Sequence, residues 1–445
     1  GTRTHLTNAG LTPSSGDRRV LSFYAETVLP VVLPQSGVPL VHSLELSASA
    51  RFEDYSDFGT TTKPKYSANW KPTSWAMVRA SYNEGFLAPS LPALYQGQVT
   101  ANTVNQVDLY RNPATNEGSY RSNAISGSNP GLKPEFSKGK SIGIAVDVPK
   151  INGLSFTVDY WQIDQRGILG SFSAAVINAI DASLLAAETQ RQLTAGTPPA
   201  SIDLGSGTAA YKGDPRIVRV AVSAADRAAF AAFNATRPAA QQLGPVGQFF
   251  STRSLTENRA AGSASGVDLG LSYRLPTTSL GRFTLAGNAA YLIESYTVSD
   301  PGGPRIARLE RNGAARWRGD MSVFWRKGPW SAGVSAYYIG ALIDTGASTT
   351  AATYDSLGKP DYIAKVSDQG TTFYYNRIGS SIAHNAHVGY AFKTENLWLK
   401  DTKLRFTVNN VFDREPPLAS GGFIASNQQN LLSGRTFSLE ITKEF

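Results

Sequence analysis

Gly281 to Ser295 reads GRFTLAGNAAYLIES, and the fold turns on its two faces. Odd positions carry Phe283, Leu285, Ala289, Tyr291 and Ile293, whereas even positions carry Arg282, Thr284, Asn288 and Glu294. Alternation with period two marks a strand with one apolar and one polar side. A clean run of about ten residues is the length a tilted strand needs to cross a bilayer. The same pattern sets Val267, Leu269, Leu271, Tyr273 and Leu275 against Ser265, Asp268, Ser272 and Arg274, and Leu44, Leu46, Ala48, Ala50 and Phe52 against Glu45, Ser47, Ser49 and Arg51. It recurs in Trp317 to Trp325 and in Lys403 to Asn409.

About thirteen segments read this way: 18–30, 42–54, 61–71, 74–85, 137–148, 153–164, 257–275, 280–297, 312–327, 329–342, 381–394, 402–413 and 433–445. Their connections alternate in length. Short turns fall near Lys71–Ser74, Pro149–Gly153, Pro276–Ser279, Lys327–Pro329 and Thr394–Asp401, and long loops cover 86–136, 165–256, 343–380 and 414–432. Outer-membrane barrels are built with short turns on one side and long loops on the other. The connection 31–41, with two prolines, is long for a short-side turn. Within the long loops, Ser173 to Gln192 and Val222 to Thr236 have helix-compatible spacing, and they are expected to pack over the mouth or against other loops.

Composition agrees with a membrane barrel. The chain has 445 residues, no cysteine and only 17% charged residues, against about 25% in soluble chains. Without cysteine, disulfide frameworks and thiolate chemistry are excluded. No apolar run approaches the roughly 18–20 residues of a membrane helix, which excludes a helical membrane protein but not a barrel. Gly1 to Val20 lacks a charged-then-apolar signal pattern. The net charge of +8 comes without a basic run or stacking motif, so no nucleic-acid partner is expected.

Tyr82 to Leu94 reads YNEGFLAPSLPAL and Asn129 to Glu135 reads NPGLKPE; DYW follows at 159–161, NVFD at 410–413 with Pro416 and Pro417, then Gly434, Arg435 and a terminal Phe445. In this order along alternating strands, the motifs resemble the C-terminal barrel portion of TonB-dependent outer-membrane receptors, over roughly 18–445. One departure is Leu87, where the family commonly has Arg, and it bears on local loop contacts. By their chemistry the motifs are mostly structural: Gly85, Pro89 and Pro92 end a strand, and Pro130 and Pro134 lead an extended path into the next one. The last strand puts Phe437, Leu439, Ile441 and Phe445 on one face, which looks like the signal read by the barrel assembly machinery.

The resemblance implies an all-β transmembrane antiparallel barrel in the outer membrane of a Gram-negative bacterium, with its long loops extracellular. Barrels of 22 strands are the size used by plugged transporters, so about thirteen strands here leave about nine, with the plug, to a companion polypeptide. Residues 1–17 are then an extracellular loop remnant and 18–445 the C-terminal part of the barrel. An odd number of strands leaves open edges in lipid, which again calls for a companion that closes the barrel. Through the plug the resemblance implies the TonB complex as partner, and energy-coupled import of a scarce solute as function. A passive diffusion porin and a soluble all-β adhesin or glycan-binding protein are the alternatives.

No converging set of catalytic groups has recognisable spacing, so no enzyme is expected. No cofactor or metal site is indicated either: His384 and His387, three apart, fall on opposite faces of a strand. Loop aromatics and arginines are the candidates for substrate contact, namely Tyr95, Tyr110, Arg111, Tyr120, Arg121, Arg253, Tyr374 and Tyr375; aromatics stack on flat solutes and Arg pairs with anions. Siderophores, oligosaccharides, peptides and cobalamin all fit that chemistry. Charges on the polar strand faces, Arg79, Arg282, Arg316, Arg318, Asp320 and Arg405, are the candidates for the lumen and plug.

Overall fold

The computed structural model describes residues 9–11, 14–299, 303–311, 314–368, 370–392, 394, 396, 399–415, 417, 419–420 and 434–443. Strands β1 (Val20–Val32), β2 (Ser43–Tyr55), β3 (Gly59–Thr73), β4 (Ala76–Leu87), β5 (Glu135–Asp147), β6 (Leu154–Gly170) and β7 (Glu257–Arg274) are followed by β8 (Arg282–Val298), β9 (Trp317–Lys327), β10 (Trp330–Ile339), β11 (Ser381–Ala391), β12 (Thr402–Asn409) and β13 (Thr436–Lys443). They lie side by side in chain order, each antiparallel to the next. A short strand, Arg305–Ala307, pairs with β8 off this path. Every alternating segment of the sequence falls on one of these strands. The largest shifts are at strand ends: β6 runs on to Gly170 beyond the expected 164, the segment expected at 312–327 begins at Trp317, and β12 stops at Asn409 because Asn410 takes a left-handed φ of 52°. Phe445 lies outside the described residues.

Register keeps each face chemically uniform across the sheet. One cross-strand row runs Leu44, Trp70, Val78, Ile144, Val158, Leu269 and Ala289; another runs Phe283, Trp325, Ala332, Val388, Phe406 and Leu439. A slip of one residue would turn every such row to the polar side, so an apolar medium on one face and a polar one on the other would fix this register. Aromatic residues bracket the apolar band on β8 and β9. Phe283 lies opposite Trp325 at one end and Tyr291 opposite Trp317 at the other. Eight residues span about 26 Å along a strand, or about 20 Å along the membrane normal at a 40° tilt, close to the apolar band of outer-membrane barrels.

The polar face is lined by small residues interrupted by paired charges. Ser47, Ser67, Ser81 and Ser141 stand in one row across β2 to β5, with Oγ atoms 2.6 Å apart in the first pair and 2.8 Å in the second. In the next row Arg79 on β4 reaches over β5 to Asp159 on β6, with Nε at 2.7 Å and Nη2 at 2.5 Å from the two carboxylate oxygens. The reach is possible because Gly143 occupies the intervening position: a Cβ there would sit 1.9 Å from Asp159 Oδ1. His387 faces Gly333 on this side, while His384 lies in register with Ala336 on the apolar row.

Six connections share one rim and are short to moderate: 33–42, 74–75, 148–153, 275–281, 328–329 and 392–401. The opposite rim carries 88–134, 171–256, 299–316, 340–380 and 410–435. Its exception is 56–58, a tight turn between β2 and β3. There Arg18 pairs with Asp57 at 2.7 Å and donates to Pro89 O at 2.7 Å, joining the turn to the start of a long loop. The strand Ala9–Leu11, just before β1, pairs with Val99–Val107 in that same loop. β1 therefore starts at the long-loop rim and β13 ends at the short one, so the two outer strands run in the same direction.

Burial of large apolar side chains is concentrated in the long loops. Segments 88–134 and 171–256, joined by Ala9–Leu11, build a five-stranded sheet in the order Ala9–Leu11, Val99–Val107, Ser119–Gly127, Phe249–Leu255 and Ile217–Arg219. Helix α1 (Ala174–Thr194) packs against it and helix α2 (Ala224–Asn234) against the helical turn Asn112–Thr115 and the segment Pro199–Ser201; the two answer to the two expected helical stretches. Ser173 caps α1 through Val176 N, and α2 starts with a capping box between Ser223 and Asp226. A second loop unit, Leu342–Thr349 with Ile363–Asp368 and Thr371–Ile378, forms a three-stranded sheet.

Candidate binding surface of the loops and the polar sheet face

The sequence motifs tie the loops to the sheet. Ser90 of GFLAPS caps the helical turn Leu91–Tyr95. Asn129 of NPGLKPE donates its backbone N–H to Ala93 O of that turn and its amide Nδ2–H to Thr256 O at the foot of β7. In NVFD, Asn410 accepts from and donates to the Arg414 backbone, and Asp413 accepts from Arg435 N at 2.7 Å at the start of β13. Asp159 of DYW holds Arg79, as above.

Inside the loop domain an ion network has no outlet to solvent. Arg219 is fully buried and is held by Asp108 (2.5 Å) and Asp181 (2.8 Å), both equally buried. Tyr211 donates to Asp181 at 2.6 Å and Tyr120 to Asp108 at 3.0 Å, while Arg219 also donates to Tyr211 Oη and Gly247 O. The Asp108 carboxylate accepts from the backbone N–H of Tyr110 and Arg111. Arg111 forms a second knot with Glu117 (2.7 Å), Asp226 of α2 (2.5 Å) and Val246 O. No local spacing announces these networks, because Arg219 lies 38 residues from Asp181 and 111 from Asp108.

Three of the eight substrate-contact candidates are taken up by this interior. Tyr110 and Arg111 are each 3% exposed, and Tyr110 bonds Thr189 Oγ1 and Gly244 N. Tyr120 is tied to Asp108 and to Phe249 N. Loop position in the sequence suggested access, but these loops have a core of their own. Arg121 and Arg253 are exposed on the loop sheet. Tyr95 lies half-buried with its ring against Gly16. Tyr374 packs on Tyr354 (4.9 Å) and Tyr375 on Phe373 (5.7 Å), in the three-stranded sheet rather than the larger loop domain.

The sheet candidates divide as well. Arg79, near the short-turn end of β4, and Arg318 and Asp320, near the long-loop end of β9, all lie on the polar face. Asp159, Asp268, Ala290 and Arg318 follow one another across four strands, and Asn288 donates to both oxygens of Asp320 at 3.3–3.4 Å. There, Asp268, Asn288, Arg318, Asp320 and Tyr337 line a depression of about 330 Å³. Arg282 stands opposite Arg326 at the short-turn rim, and Arg405 opposite Glu440 between β12 and β13. Arg316 precedes β9 and is drawn to the long-loop rim by Glu310 at 2.7 Å, away from the other lumen candidates.

Ionisation in the loop domain follows its geometry. Burial pushes the Tyr110 hydroxyl up to about 12, and it raises Tyr120 and Tyr211 further, since their phenolate forms would also face Asp108 and Asp181. The Arg111 guanidinium holds Glu117 below its ordinary value. For Asp226 burial acts upward, but the Ser223 backbone and Arg111 outweigh it and the carboxyl is lowered. Raised phenols stabilise the fold below the ordinary tyrosine value of 10.0, and that contribution is lost as pH climbs through the folded value. Lowered carboxyls stabilise above the ordinary carboxylate range, and their contribution is lost as pH falls through it. The loop domain should therefore hold from about pH 5 to 10 and loosen at both extremes. In a titration followed at 295 nm, a set of tyrosines should ionise only as the domain opens; simple ionisation of all tyrosines near 10 would contradict this packing.

The chain resembles several solved structures. The siderophore receptor PirA of Acinetobacter baumannii superposes with a TM-score of 0.56 at 13% identity, over 96% of this chain and 46% of that one. A variant of the ferric enterobactin receptor PfeA of Pseudomonas aeruginosa gives 0.54 at 14% identity, over 96% and 45%. The chain thus spans about half the length of these receptors, and the likeness shows the fold. No curated protein matches it. The sequence itself matches the family described as TonB dependent receptor-like, beta-barrel, over residues 4–411. Proteins of that family are outer-membrane transporters of Gram-negative bacteria rather than enzymes. With its two-faced antiparallel sheet, its alternating rims and this match across most of its length, the chain belongs to the family of TonB-dependent receptor-like β-barrels.

Proposed function

We propose that the chain forms thirteen strands of a larger barrel, completed by a companion polypeptide segment that also carries a plug, and that the assembly imports a scarce solute by TonB-dependent coupling. The observation that carries this reading is the pair of outer strands. β1 and β13 expose apolar residues such as Phe23, Leu29, Phe437 and Ile441 and run in the same direction, so they cannot close on one another antiparallel. Further strands must come between them, because an unpaired edge is not tolerated in lipid. Nine would complete the 22 of a plugged transporter. The polar face, with its charges at Arg79, Asp159, Asp268, Arg318 and Asp320, then surrounds the plug, and the long loops face the outside.

For the solute, the receptors of similar fold are described as siderophore and ferric enterobactin receptors. The exposed Arg121 and Arg253, with Tyr95, Tyr374 and Tyr375, suit an anionic chelate with aromatic rings. Cells lacking the chain should lose at least tenfold in energy-dependent accumulation of one labelled ferric siderophore from a panel, and cells lacking TonB should lose the same. Uptake that persists without TonB would identify a passive pore. Accumulation of a labelled oligosaccharide in place of iron would keep the transport reading and replace the solute.

A further inference from the structure

In the loop domain, α2 and the segment Pro198–Ala200 border a groove of about 710 Å³, within the size range of small-molecule sites. Its walls are mostly apolar and small: Pro198, Pro199, Ala228, Ala231, Ala235 and Pro245. Asn234 and Gln242 also border it, but each is already engaged: Asn234 bonds the Leu243 backbone in both directions, and Gln242 donates to the carbonyls of Asn234 and Arg237.

Two guanidinium groups stand at this groove, Arg227 near the start of α2 and Arg237 beyond its end. Neither has an ion pair among the described residues, whereas the buried Arg111 and Arg219 of the same domain are each paired twice. No carboxylate lines the groove. Arg237 lies over the Phe233 ring at 4.0 Å, which fixes its plane. Ten residues separate the two arginines; the seven steps from Arg227 to the end of α2 span about 10 Å along its axis, and Arg237 follows in the turn after it. The frame is rigid from below: Phe230, 1% exposed, packs on Tyr110, and Asp226 one residue before Arg227 is clamped by Arg111. An apolar trough with an unpaired cation at each end and no acid between is complementary to an elongated molecule with an apolar body and an anionic group at each end.

We propose that this groove is a binding site for a small organic dianion with an apolar body, separate from the polar face of the sheet. Tyr110 and Arg111 then serve it from beneath, as positioning residues that hold α2 in place. This inference does not depend on the import reading, since binding is measured on the purified full chain whether or not it transports.

Naphthalene-1,5-disulfonate, which is water-soluble and doubly charged, is the probe, titrated by calorimetry into the detergent-extracted protein at low and at 0.5 M salt. One-to-one binding is expected, weakened at least tenfold by the paired change Arg227→Gln and Arg237→Gln, and abolished by Ala231→Trp, which fills the trough from an exposed helix position. Both variants alter surface side chains, and unchanged circular dichroism with late tyrosine ionisation will show that the domain is intact. Absence of binding to the unaltered protein, binding unaffected by both variants, or equally tight binding of uncharged naphthalenemethanol would each overturn the proposal.

Discussion

Replacing Arg219 with methionine is expected to open the loop domain while leaving the strands of the sheet assembled. The substitution removes one buried cation, strands two buried carboxylates, Asp108 and Asp181, and takes away the donor that the Tyr211 hydroxyl accepts from. Breaking a buried pair by deleting one partner costs about 3–5 kcal/mol, a large part of what a domain of this size has to spare. Hydrogen exchange should show segments 99–127 and 174–255 losing protection together, with β3 to β10 unchanged. Changing Asp108, Asp181 and Arg219 together to Asn, Asn and Met removes the stranded charge and should recover part of the protection. If Arg219→Met alone leaves exchange in these segments unaltered, the ion network is not what holds the domain.

The second large effect separates the two faces of one strand. Leu269 lies in β7 on the apolar row between Val158 and Ala289, inside the band that the aromatic residues bracket, and Asp268, its neighbour in sequence, lies on the polar face opposite Asp159. Arginine at a lipid-facing midplane position costs about 2–4 kcal/mol. Leu269→Arg should therefore sharply reduce heat-modifiable, membrane-inserted protein on unboiled gels. Asp268→Arg, the same new residue one position away, meets the Asp159 carboxylate and should assemble almost normally. Equal yields from the two variants would mean that the apolar row does not face lipid.

The strands were legible in the sequence because two solvents act on them at once. A residue such as Leu269 or Phe283 meets a different medium from Asp268 or Arg282, and no long-range contact is needed to decide which way each one points. The turn after β12 was less legible: the alternation reads as strand as far as residue 413, but Asn410 and Asp413 take left-handed conformations and the strand ends at Asn409. The loop domain was not legible in this way. Its strands are short and polar on both sides, as in Ser119–Gly127, and its stability comes from Asp108, Asp181 and Arg219 meeting across distant stretches of chain. Tyr110 and Arg111 accordingly looked like surface ligands when they belong to an interior. The groove residues Arg227 and Arg237 drew no notice because nothing in α2 alone shows that their charges go unanswered.

The serine row on the polar face has a kinetic meaning. Each hydroxyl of Ser47, Ser67, Ser81 and Ser141 is both a donor and an acceptor and rotates freely about one bond, so each can change partner without a side-chain rearrangement. A rigid body sliding along such a wall trades one hydrogen bond for the next with no donor left bare in between, and the barrier to its motion stays low. On the import reading proposed above, charged stations such as Arg79 with Asp159 would act instead as detents, and the spacing of the serine row and the ion pair would set where such a body rests.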